Sequence, residues 1–279
     1  MDKRKIILTL VAIAIIALAF SILNKEEEIV ESPINIEIGQ EFKGLKYSET
    51  KYVLNYKISD INGDKTNDVI IFVGEKEDVS SEKVKNADIV YYDGALQKYI
   101  NTELKNFNGA TPRLELADVT GDSLNDIIAI LNTEDGDKTI RIITLTNETL
   151  KEIFKAKDNK YITFSGKFVD GFKVNITNRK LNINKELNLT NNSAGLIENG
   201  IFDKAGKYIG EAGVKIKTTG FVQLEFVQLT GAMGISTKQR IITSDNKNII
   251  DEIEIIWKYE EGKWQIKEAK GVRLGNLLY

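Results

Sequence analysis

Asp60-Ile61-Asn62-Gly63-Asp64-Lys65-Thr66-Asn67-Asp68 runs straight into Val69-Ile70-Ile71-Phe72-Val73. Fifty-eight residues later the pattern returns as Asp118-Val119-Thr120-Gly121-Asp122-Ser123-Leu124-Asn125-Asp126, followed by Ile127-Ile128-Ala129-Ile130-Leu131. Oxygen-bearing side chains stand at positions 1, 3, 5 and 9 of each copy: Asp60, Asn62, Asp64 and Asp68, then Asp118, Thr120, Asp122 and Asp126. Carboxylates crowded this closely repel unless a cation neutralises them, and calcium takes six to eight hard oxygen donors. A backbone carbonyl at position 7, Thr66 or Leu124, adds one more donor, so each loop reads as a structural calcium site. It is not an EF-hand, which needs Gly at position 6 and Glu at position 12 between helices. Here position 12 is Ile71 or Ala129 and the flanks read as strands, so further ligands must come from a carbonyl, another loop or water. The competing reading is an Asp/Asn/Gly-rich β-turn that binds nothing, since these residues favour turns in any case.

The pattern Asp-x-Asx-Gly-Asp-x-x-x-Asp before an apolar strand resembles the FG-GAP and VCBS repeats, the calcium loops of integrin-type β-propellers. The layout is similar to bacterial exported VCBS repeat-containing proteins, in which a membrane-targeting segment precedes the loops and a C-terminal β region follows. The resemblance covers only each loop and its following strand, and Thr120 departs from the Asp or Asn usual at position 3. It implies structural calcium and a propeller-like fold and leaves the function open. Leu224-Glu225-Phe226-Val227-Gln228-Leu229-Thr230-Gly231 has similar apolar framing without aspartates, so no third loop is expected there.

Composition narrows the chemistry. The 279 residues contain no Cys and no His. That removes disulfides, thiolate nucleophiles, Ser-His-Asp catalysis and nearly every zinc or iron site. The formal charge of −3 becomes more negative beyond the N-terminus, because Lys3, Arg4 and Lys5 outweigh Asp2 in the first 24 residues. An acidic exterior argues against nucleic acid as a partner.

Those cations precede an apolar run over residues 6–23, and Glu26, Glu27 and Glu28 follow it. As a helix it would reach about 27 Å, close to the hydrocarbon core of a bilayer, with the chain beyond it outside the cell membrane. An uncleaved single-pass transmembrane helix is the preferred reading. Cleavage after Ala17-Leu18-Ala19, giving a secreted protein, is the alternative. Residues 25–35 then form a polar tether.

Beyond the tether the chain is a succession of short alternating strands. Tyr52-Val53-Leu54-Asn55-Tyr56-Lys57-Ile58 enters the first loop and Arg113-Leu114-Glu115-Leu116-Ala117 the second. Asp93-Gly94 marks a hairpin turn, and Glu260-Glu261-Gly262-Lys263 joins the clearest hairpin in the chain. Only 80–86 and 147–155 read as short helices, and 188–200 reads as a loop. The expected fold is all-β: two calcium-loop repeats over 36–155 in a propeller-like domain, then a C-terminal β region over 156–279. That region is either degenerate blades or a separate sheet.

Without His or Cys, catalysis would rest on carboxylates such as Glu75, Glu134, Asp135, Asp137 and Asp170, and nothing in their spacing sets them apart from solvated turn acids. Tyr91, Tyr92, Tyr99, Trp257, Tyr259 and Trp264 offer either a sugar-stacking platform or core and cross-strand packing, and the latter is preferred. The expectation is a tethered, non-enzymatic module with no catalytic residues. Its partner would be a cell-envelope polysaccharide or an exported protein. A carboxylate-dependent hydrolase of envelope carbohydrate is the alternative.

Overall fold

The two apolar strands that follow the loops are buried on both faces, and this sets the layering of the molecule. A computed structural model describes residues 32–277, apart from 79, 157–161, 180 and 211–214. The apolar run over 6–23 lies outside the described residues. Among the described residues, no helix is long and apolar enough to cross a membrane.

The first loop joins β1 (Tyr52–Ser59) to β2 (Asp68–Glu75), and β3 (Lys83–Asp93) and β4 (Lys98–Glu103) complete a four-stranded antiparallel meander. The second loop joins β5 (Gly109–Ala117) to β6 (Asp126–Asn132), continued by β7 (Lys138–Thr146) and β8 (Thr149–Lys155) in the same order. The registers agree. Ser59 pairs with Asp68 across the first loop and Ala117 with Asp126 across the second. The start of β3 also pairs with β5, through Lys83–Ala110 and Val84–Gly109, making one eight-stranded sheet of the two meanders.

Side chains alternate across a strand with period two, and the cores follow that alternation. Val69, Ile71 and Val73 face Ile36 and Phe42 of the N-terminal segment. Ile70 and Phe72 face the opposite way, into a core shared with Ile127, Ala129 and Leu131 of β6. Ile128 and Ile130 turn to a third core, completed by the C-terminal strands. A strand covered on both faces reads as an unbroken apolar run, which is how both stretches read in the sequence.

After β8 the architecture changes. β9 (Ser165–Val169), β10 (Lys173–Asn178) and β11 (Ile183–Asn188) form a three-stranded sheet. A 3-10 turn and a six-residue helix α1 (Ser193–Glu198) follow. The chain ends in a six-stranded antiparallel sheet of β12 (Ile216–Thr218), β13 (Gln223–Leu229), β14 (Ala232–Thr243), β15 (Ile249–Glu260), β16 (Lys263–Gly271) and β17 (Gly275–Asn276). Phe154 of β8 anchors this region, with its ring edge-on to Trp257 and Trp264 at centroid distances of 6.3 and 5.2 Å.

Three sequence expectations are corrected. Residues 83–86 are the start of β3 rather than a helix, with a bulge between the Val73 and Glu75 pairings that obscures the alternation. Residues 149–155 are β8, entered by a tight turn in which Asn147 and Glu148 both have positive φ, 50° and 56°. The expected loop over 188–200 contains α1, whose single buried residue, Leu196, is too little to give a helical period.

Candidate functional site

The two loops have the same backbone path. Gly63 and Lys65 lie at φ 82° and 70°, and Gly121 and Ser123 at 81° and 72°. Left-handed geometry costs a residue with a side chain about 1 kcal/mol or more, and both loops accept that cost at position 6.

The aspartates organise this path. At position 1, Asp60 Oδ1 accepts from Gly63 N at 2.7 Å and Oδ2 from Lys65 N at 2.8 Å. Asp118 does the same with Gly121 N at 2.6 Å and Ser123 N at 2.9 Å. At position 5, Asp64 Oδ1 accepts from Thr66 N, and Asp122 Oδ1 from Leu124 N. At position 9, Asp68 and Asp126 are buried, and their Oδ2 atoms accept from Ile61 N and Val119 N respectively. The Thr66 N–H holds the Asp64 carboxyl below the usual carboxylate range, while burial pushes Asp68 and Asp126 above it.

Position 3 differs between the copies. Asn62 Oδ1 accepts from Asp64 N at 2.9 Å, whereas Thr120 is turned to the buried Asp126, its backbone N–H donating to Asp126 Oδ2 at 2.9 Å. The carboxylate oxygens of Asp60, Asp64, Asp118 and Asp122 that accept one backbone N–H each keep a further lone pair, whereas Asp126 Oδ2 accepts from both Val119 N and Thr120 N. Among the described residues, no three acidic side chains gather into a metal-holding cluster. The donors over the nine positions are therefore mixed: carboxylates with an amide or hydroxyl at position 3 and a backbone carbonyl at 7. These are all hard oxygens and suit calcium in kind.

The loops are neighbours. Leu124 lies 3.4 Å from where a Cβ on Gly63 would stand, and Asn125 Nδ2 donates to Ser59 Oγ at 3.3 Å. Each loop also leans on a hairpin. In the first, the Asp93-Gly94 turn closes on the loop: Gly94 N donates to Asp68 Oδ1 at 3.1 Å, and a Cβ on Gly94 would fall 2.1 Å from Asn67 O. Asp93 and Tyr91 line this corner, the phenol donating toward Asp93 Oδ2 at 3.4 Å and accepting from Asn62 Nδ2 at 3.0 Å. Burial, with Asp68 and Asp93 beside it, pushes the Tyr91 phenol upward. A recess of about 410 Å³ opens between this corner and Leu124. In the second loop, Met233 N donates to Asp118 O at 2.8 Å, and a Cβ on Gly121 would meet Gly231 O at 2.9 Å. The apolar-framed stretch ending Thr230-Gly231 thus supplies the turn that carries this loop.

Asp93 was legible only as half of a turn-forming dipeptide. Tyr91 pairs with Ile70, and Ile142 occupies the matching place opposite Ile128, so the second loop has no equivalent phenol.

The remaining candidates are spread out. Glu75 accepts from Asn86 Nδ2, Asp137 from Gly220 N and Asp170 from Tyr208 N. Glu134 pairs with Lys83 at the surface. Tyr91, Tyr92, Trp257 and Trp264 are buried, Tyr92 packs against Tyr99 with the rings tilted, and Tyr259 packs on Trp264 across the final hairpin. The aromatics fill cores and form no exposed platform.

In comparison with known proteins, the family model described as YybI C-terminal domain matches residues 162–272, the part that begins just before β9 and ends after β16. No curated protein and no solved structure matches the chain.

Proposed function

We propose that the chain is a calcium-stabilised β module, held outside the cell by its N-terminal apolar segment, that binds a cell-envelope polysaccharide or an exported protein. The observation that carries this reading is the agreement of the loops. Both bond their first and fifth carboxylates to the same backbone N–H positions, and both bear the same pair of positive-φ residues. Two loops with the same path and the same carboxylate positions would present the same set of oxygen donors to a cation. Calcium would be held by Asp60, Asn62, Asp64, the Thr66 carbonyl and Asp68, and by Asp118, Thr120, Asp122, the Leu124 carbonyl and Asp126. The cation would supply positive charge beside the two buried aspartates, Asp68 and Asp126. The two meanders are read as propeller-type blades followed by a distinct C-terminal β region. The binding role is preferred over hydrolysis because Glu75, Asp137 and Asp170 are taken up in bonds that hold turns and strand ends.

Calorimetric titration of calcium into the chelator-treated full chain, kept in mild detergent, tests the reading. The expected stoichiometry is two, falling to one in Asp60→Ala/Asp64→Ala. A chain that takes up no calcium at millimolar concentration refutes it.

A further inference from the structure

The two loops share a backbone path, but the strand beside them differs at one place. β2 pairs with β3 at Val69–Tyr92, and β6 with β7 at Ile127–Ile143. One step toward each loop, Asp68 therefore stands across from Asp93, whereas Asp126 stands across from Thr144. The second copy is settled by neutral chemistry, because the Thr144 hydroxyl donates to the Asp126 carboxylate. In the first copy two carboxylates oppose each other. Asp68 is fully buried and Asp93 is 8% exposed. Like charges directly opposite across strands destabilise a sheet, and burial away from water makes the opposition costlier.

Protein groups do not relieve it. Among the described residues neither carboxylate has an ion-pair partner, and Lys98, opposite Asp93 on β4, is exposed and forms no ion pair with it. Tyr91 lies beside both acids and has one phenol proton to donate. Asp93 Oδ1 accepts from Leu96 N at 2.7 Å. Among the described residues, Asp93 Oδ2 meets only the Tyr91 phenol and Asn62 Nδ2, each at 3.4 Å and longer than an ordinary hydrogen bond. This under-used oxygen is directed at the loop. Asn62 Nδ2 also donates to Asp64 Oδ2 at 3.1 Å, so carboxylates from position 5 and from the hairpin converge on the position 3 amide.

We infer that Asp93 is a further ligand of the first calcium site, supplied by the β3–β4 hairpin, and that this site is the tighter of the two. The inference rests on the proposed calcium reading. It gives the first site four carboxylates, Asp60, Asp64, Asp68 and Asp93, against three at the second, Asp118, Asp122 and Asp126. Calcium affinity is tuned by the charge of the ligand set and the rigidity of the site. The hairpin is already tied to the loop by the Gly94 N–H on Asp68, so the extra ligand is held in place by the fold.

The test is calorimetric titration of calcium into the chelator-treated full chain in mild detergent, with each site isolated in turn. Asp118→Ala/Asp122→Ala leaves the first site, and Asp60→Ala/Asp64→Ala leaves the second. The first is expected to bind at least about threefold more tightly. Adding Asp93→Asn, which keeps an acceptor for Leu96 N, should weaken the first site by at least about threefold and leave the second unchanged. Melting temperatures separate ligation from support of the turn. In chelator Asp93→Asn should melt no lower than the parent, because it removes a buried like charge, and in calcium it should melt lower. Equal affinities at the isolated sites, an unchanged first site in Asp93→Asn, or a loss of stability as large in chelator as in calcium overturns the assignment and leaves the calcium reading standing. If the parent chain, with both loops intact, takes up no calcium at millimolar concentration, the calcium reading fails and the assignment with it.

Discussion

Phe154→Ala is expected to lower the melting temperature by on the order of 10 °C. Phe154 is almost fully buried and stands edge-on to Trp257 and Trp264, so its ring joins the second meander to the six-stranded sheet. Removing a buried phenylalanine costs about 3–5 kcal/mol in lost burial and residual cavity. Edge-to-face aromatic pairs add about 0.5–1.5 kcal/mol beyond area. For a domain of this size each kcal/mol moves the midpoint by about 2–4 °C. Trp264 carries a buried indole N–H without a partner, so the cluster gains from shape and area rather than from hydrogen bonding. Thermal unfolding followed by circular dichroism checks the shift. A variant that melts within about 2 °C of the parent would mean that this contact does not hold the C-terminal region in place.

Lys51→Met should be comparably damaging, with a distinctive pH dependence. The Lys51 ammonium is buried against the Asp88 carboxylate, also donates to Asn86 O, and lies 5.0 Å from the centre of the Tyr47 ring. Asp88 is buried as well and accepts from Leu104 N at 3.1 Å, so it cannot turn out to water without releasing β4. Removing one member of such a pair leaves an uncompensated buried charge, which costs about 3–5 kcal/mol. Burial already pushes the Asp88 carboxyl above the ordinary carboxylate range, although Lys51 pulls it down. Without Lys51 it rises further.

The sign of the pH effect follows. A carboxyl whose folded pKa exceeds its unfolded value holds its proton more tightly in the fold. Its contribution to stability is complete below the unfolded value of about 3.9 and is lost as pH rises through the folded pKa. The deficit of Lys51→Met relative to the parent should therefore be largest at neutral pH and shrink on acidification toward pH about 4. Adding Asp88→Asn, which keeps an acceptor for Leu104 N and removes the charge, should recover most of the loss at neutral pH. Chemical denaturation across pH checks both. A deficit that does not change with pH would assign the effect to packing of the lysine stem instead.

What could be read from the chain and what could not divides by range. The runs Val69-Ile70-Ile71-Phe72-Val73 and Ile127-Ile128-Ala129-Ile130-Leu131 read as strands, and the shared loop pattern as two units in register. The burial of both faces of each strand came only from the structure. Turn chemistry placed the hairpin at Asp93-Gly94 and the last one at Glu261-Gly262. The stretch over 147–155 was misread because Leu150 and Phe154 stand four apart, as on a helix face. The Asn147-Glu148 turn, with two positive φ values, instead feeds a strand whose bulge opposite β7 shifts the alternation.

Long-range partners left no local trace. Nothing near Gly121 indicates that the Gly231 carbonyl will sit against it, and nothing near Asp93 separates an ordinary hairpin turn from one closed over a loop.

The measurement that bears most directly on the central claim is the melting temperature of the full chain in mild detergent, with about 2 mM calcium and with chelator. If each loop binds at about 0.1 mM, that calcium contributes about 1.8 kcal/mol per site. The two together should raise the midpoint by on the order of 10 °C. Asp60→Ala/Asp64→Ala should retain about half of the shift, and adding Asp118→Ala/Asp122→Ala should abolish it. Identical midpoints of the parent chain in calcium and in chelator would contradict the claim and reduce both loops to turns held by their own hydrogen bonds.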